Sequence, residues 1–133
     1  MNVESKDLRD RTKAFALLVI RMYSSLPKTT EVQVMGKQVL RSGTSVGANY
    51  REAYRARSKA EFIAKLGDCL KELDESSYWF ELLDESGVVS SVTLAPLQKE
   101  CNELLAIYYD NCKKEQGTRI IMKYEVTAFF HHS

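Results

Sequence analysis

A chain of 133 residues is the size of one domain and can bury a single modest core. Apolar residues make up 44% and charged residues 28%, which fits a folded globular protein and excludes a disordered one. Net charge is +1, and no apolar run approaches the ~20 residues that a membrane-spanning helix needs, which excludes such a helix.

The polar, mixed-charge stretch Met1 to Asp7 does not read as a signal peptide, so a cytoplasmic location is expected. A first helix is predicted over about 5–25, with Leu8, Phe15, Leu18, Val19, Met22 and Leu26 on one apolar stripe. Pro27 stops it, because proline disfavours a helical residue before it and has no N–H to donate. Thr30 offers an N-cap to a second helix over 31–55. Its period-seven positions are Val32, Val39, Val46 and Ala53, with Gly36, Gly43 and Tyr50 between them. The turn at Ala56-Arg57 reads as the tightest in the chain, short enough for near continuity.

Ser58-Lys59-Ala60-Glu61 then fits a capping box and opens a third helix over 58–85. Phe62, Leu66, Cys69, Leu73, Ser76, Phe80 and Leu83 follow at alternating steps of four and three. Gly87 serves as its C-terminal cap. Ser90-Ser91-Val92-Thr93 leads into a fourth helix over 93–115, with Pro96 in its first turn and Leu94, Leu97, Cys101, Leu104 and Tyr108 on one stripe. Short connections make neighbours antiparallel, so the expected fold is an all-α, up-down-up-down four-helix bundle over residues 1–116. The segment 117–133 is apolar without clean period; it reads either as an arm docking on a neighbouring subunit or as an extension.

Charge is unevenly spread. Residues 36–65 hold seven Lys or Arg against two acids, and residues 66–86 hold seven acids against one Lys. Arg41 and Arg55 project within about 40° of each other on a helix, with Arg51 on the same side. Arg57, Lys59 and Lys65 extend this basic region. Arg41, Arg51, Arg55, Arg57 and Lys59 are therefore candidates for nucleic-acid phosphates, with Tyr50 and Tyr54 placed to stack on bases. The alternative is a solvated face, or ion pairs to the acidic half of the third helix.

Gly43 and Gly47 each cost a helix ~1 kcal/mol relative to Ala, which implies a compensating close approach. That approach is either packing within the bundle or a subunit interface. Asn49 is a poor helix former and is expected to make a specific hydrogen bond. Tyr78, Trp79 and Phe80 are consecutive, so they cannot all face one core; Tyr78 and Trp79 join Gly43, Gly47 and Tyr50 as candidate oligomer or partner contacts. Glu52, Glu61, Asp68, Glu72 and Glu75 invite a di-metal reading, but His131 and His132 are the only histidines and lie at the far C-terminus. No metal, cofactor, small-molecule substrate or catalytic residue is expected. The three cysteines are widely spaced and read as buried, reduced thiols.

Three stretches carry a family resemblance: residues 40–53 (LRSGTSVGANYREA), residues 57–62 (RSKAEF), and Lys71 to Glu75 with Tyr78-Trp79. Over roughly residues 5–115 the chain resembles the 23S rRNA intervening-sequence proteins, or S23 family, of bacteria. The resemblance implies a four-helix protomer in a ring-like homo-oligomer, most often a pentamer. Related to it is the accessory variability determinant of diversity-generating retroelements, a similar pentamer that binds nucleic acid and a reverse transcriptase through a strongly basic surface. The resemblance thus implies a non-enzymatic adaptor, with itself, RNA or a nucleic-acid-processing protein as partners. The alternative is a purely protein-binding scaffold whose basic and acidic segments pair between subunits.

Overall fold

The computed structural model describes residues 3–116, with side chains described from Leu8 to Glu115. Four helices follow one another: α1 (Val3–Ser25), α2 (Thr30–Tyr54), α3 (Lys59–Glu85) and α4 (Ser91–Gln116). Each packs on its neighbours in sequence, and α4 closes back on α1 along a looser seam. This is the antiparallel four-helix bundle that the spacing predicts. The expected arm at 117–133 lies outside the described residues.

The core follows the helical periods closely. Val32, Gly36, Val39, Gly43, Val46, Tyr50 and Ala53 of α2 are all buried. On α3 the buried set is Leu66, Cys69, Leu70, Leu73, Ser76, Phe80 and Leu83, while Phe62 is only half-buried. Two edge-to-face ring pairs cross the bundle diagonally: Phe15 with Phe80 at 6.4 Å, and Tyr50 with Tyr108 at 5.5 Å. Such pairs add about 1 kcal/mol beyond area burial.

Some boundaries differ from expectation. Thr29, not Thr30, is the N-cap of α2, and its side chain makes no capping bond. The α2–α3 connection is not near-continuous, because Ser58 is fully extended and separates the helices. Ser58 Oγ accepts from the Glu61 N–H at 3.1 Å, while the Glu61 carboxylate accepts from the Arg57 N–H at 3.2 Å, one residue earlier than a capping box requires. Gly87, at φ +74, follows the C-cap Ser86 in the left-handed conformation that glycine adopts freely.

On α4, Pro96 sits in the second turn rather than the first, because the helix begins at Ser91. Its missing N–H leaves the Val92 carbonyl without its helical bond, at a residue that is itself largely exposed. Leu18, expected on the buried stripe of α1, is 38% exposed.

Candidate nucleic-acid interface

The up-down order brings the start of α1, the end of α2, the start of α3 and the end of α4 to one end of the bundle. Arg51 and Arg55 lie at the C-terminus of α2, Arg57 in the following turn, and Lys59 at the first position of α3. All four are exposed, and among the described residues none of their side chains has an ion pair. Two acids of this turn have partners other than these side chains: Glu52 holds Lys65 at 2.7 Å, and Glu61 accepts from the backbone N–H of Arg57.

Arg41 does not join them. Fourteen residues of helix separate it from Arg55, about 21 Å along the axis. Its guanidinium spans α2 and α3, bonding Glu75 and, at 3.3 Å, Glu72. The Glu75 hydrogen bond raises the Arg41 pKa and, reciprocally, holds the Glu75 carboxyl below the ordinary range. Burial pushes the Glu72 carboxyl up, with Arg41 opposing. The arginine track expected from the sequence therefore breaks, and its first member is an interhelical clamp.

Tyr50 also drops out as a base-stacking or partner residue, since its ring is buried against Tyr108. Tyr54 is covered on one face by the Arg9 guanidinium, 4.2 Å from the ring centroid. Gly43 and Gly47 face α1 of their own chain, where added Cβ atoms would meet Val19 and Thr12. Their small size serves α1–α2 packing, the first of the two alternatives. Asn49 makes no side-chain hydrogen bond among the described residues, contrary to expectation. Trp79 is half-buried and donates from Nε1 to Glu75 Oε1 at 3.4 Å, whereas Tyr78 stacks edge-on against it and remains 53% exposed.

Sequence reasoning missed three cations at this end. Arg9 enters from α1, and Lys113 and Lys114 stand in the last turn of α4. Only the antiparallel topology joins them to the α2–α3 turn. For the two lysines the local signal was the enrichment of cations at helix C-termini, where the macrodipole favours positive charge; Arg9, near the start of α1, carried no such signal. Among the described residues, no three His, Cys, Asp or Glu side chains gather as a metal-binding group, and no helix is long and apolar enough to cross a membrane.

These features define an all-α bundle with one cation-rich end. The chain belongs to the 23S rRNA-intervening sequence protein family, whose model matches residues 4–110. It is similar to a crystal structure of a protein of unknown function from the S23 ribosomal protein family of Bacteroides thetaiotaomicron. The two share 35% identity and a TM-score of 0.78, over 84% of this chain and 99% of that one. No curated protein matches the chain.

Proposed function

We propose that this protein is a non-enzymatic, self-associating bundle that binds the phosphate backbone of structured RNA through its cation-rich end. The carrying observation is the convergence of Arg51, Arg55, Arg57 and Lys59, exposed and without ion pairs among the described residues, at one end of the bundle. The family's description points to ribosomal RNA, and ribosomal RNA would place the protein in the cytoplasm. Assembly as a pentamer would repeat the patch around a ring, raising its avidity for a long polyanion.

The test is a fluorescence titration of the full chain with a structured rRNA fragment at several salt concentrations. Binding that weakens about linearly in log–log form is expected, and Arg51→Glu with Arg55→Glu should reduce both affinity and slope. Arg41→Glu should leave the slope unchanged. Binding that ignores salt, or is absent at low salt, overturns the reading.

A second reading, a purely protein-binding scaffold, is favoured by the exposed Tyr78 ring on Trp79. Here charge reversal at Arg51 and Arg55 lowers the light-scattering mass and leaves RNA retention untouched.

A further inference from the structure

We infer that a second copy of this chain docks the outer face of its α1 on the outer face of α3, Leu17 against Tyr78, with both bundles pointing the same way. The inference rests on the self-association in the proposed function and names the two faces that make it. The bundle buries one side of α1 through Leu8, Thr12, Phe15, Val19 and Met22. Leu17 lies on the opposite side at 41% exposure, with Ile20 beside it at 42%. On α3, Tyr78 lies opposite the buried stripe of Leu66, Leu73, Phe80 and Leu83, and Trp79 braces its exposed ring edge-on at 5.2 Å. Single exposed apolar residues are ordinary, so the charges around these two carry the assignment.

Asp10, Lys13, Ile20 and Arg21 all lie within about 60° of Leu17 around α1. Lys71, Asp74, Glu81 and Glu85 lie within about 60° of Tyr78 around α3. All eight are exposed, and the first face is cation-rich while the second is acid-rich. Among the described residues, Lys13, Arg21, Asp74, Glu81 and Glu85 hold no ion pair. Such opposite faces attract each other and repel their own kind, which disfavours α1 on α1 and α3 on α3.

The spacing then sets the direction. Asp10, Lys13 and Leu17 repeat the intervals of Lys71, Asp74 and Tyr78, with the sign of each charge inverted. With the helices parallel and Leu17 level with Tyr78, Asp10 comes level with Lys71 and Lys13 with Asp74, and Arg21 falls between Glu81 and Glu85. The antiparallel order would instead set Asp10 level with Glu85, two like charges. α1 and α3 run the same way within one bundle, so a parallel contact keeps every copy in one orientation. Two different faces make the contact head-to-tail, and each copy offers a free face to the next. The cation-rich ends then all lie on one side of the assembly, where a single RNA can reach several of them.

The test is oxidative cross-linking of full-length chains carrying Leu17→Cys or Tyr78→Cys, each alone and co-expressed. The native cysteines are buried and give little background. The co-expressed pair is expected to form a disulfide dimer at least about tenfold faster than either alone, because docked thiols react at a raised effective concentration. By light scattering, Leu17→Asp and Tyr78→Asp should each lower the assembly mass, with helicity by circular dichroism unchanged. A pair that cross-links no faster than the single variants overturns the inference, as does rapid dimer formation by Leu17→Cys alone. Wild-type mass in both aspartate variants overturns it too and leaves self-association standing. A wild-type chain of monomer mass at high concentration overturns self-association and the inference together.

Discussion

Ser42 and Ser76 are the clearest case of residues whose contribution depends on a partner. Their hydroxyls meet at 2.7 Å between α2 and α3, both fully buried. Ser42→Ala or Ser76→Ala alone strands a buried hydroxyl and should cost about 1–2 kcal/mol in urea unfolding, while the double variant should cost less than the sum. The cysteines are expected to be inert. Burial pushes the Cys101 thiol up to about 12 and Cys112 up to about 11, and raises Cys69 as well. At pH 8 a disulfide reagent should therefore titrate none of the three in native protein within seconds and all of them in denaturant. Acid stability divides between the two carboxylates on Arg41. The lowered Glu75 value contributes stability that is present above the ordinary carboxylate range and lost as pH falls through the lowered value. The raised Glu72 value acts oppositely, favouring the fold below that range and losing the benefit as pH rises. Glu75→Gln should flatten the loss of urea midpoint in acid, and Glu72→Gln should not. The half-exposed Arg41 keeps either effect within about 1 kcal/mol.

At the scale of elements, two glycines of α2, Gly43 and Gly47, set how closely α1 packs on it. A Cβ on Gly43 would lie 2.9 Å from Val19 Cγ2, against a buried, β-branched side chain that has no room to rotate away. Gly43→Ala should therefore lose about 1–2 kcal/mol to overpacking, despite its gain of ~1 kcal/mol in helix propensity. A Cβ on Gly47 would meet Thr12 Oγ1 at 3.3 Å, so Gly47→Ala should change the urea midpoint little. The helices were legible in the sequence because spacing alone decides which residues share a face. Positions 32, 39, 46 and 53 of α2 had no other way to pack. Leu18 was misplaced because period does not tell how wide a stripe the neighbours cover, and the α4 side of α1 is thinly covered. Arg41 was misread for a related cause. Its acids stand 31 and 34 residues away, and only the α2–α3 register brings them into bonding distance. Segment totals of charge foretold that some basic residues would find acids, but not which ones.

For the whole molecule, the antiparallel order gathers charge that the sequence scatters. Lys113 and Lys114 share an end with Arg51 through topology alone. Lys113→Ala with Lys114→Ala should lower the salt dependence of RNA binding by up to about two in log–log slope, with mass and helicity by circular dichroism unchanged. The same order limits cohesion elsewhere. The α1–α4 seam lacks the close packing of the α2–α3 pair, and Arg11 spans it to Glu100 in a two-pronged bond. A bundle joined this way is a book with one loose edge. Amide exchange should open from that edge, releasing deuterium protection along the outer turns of α1 and α4 while the α2–α3 hairpin holds its protons to the limit of global unfolding.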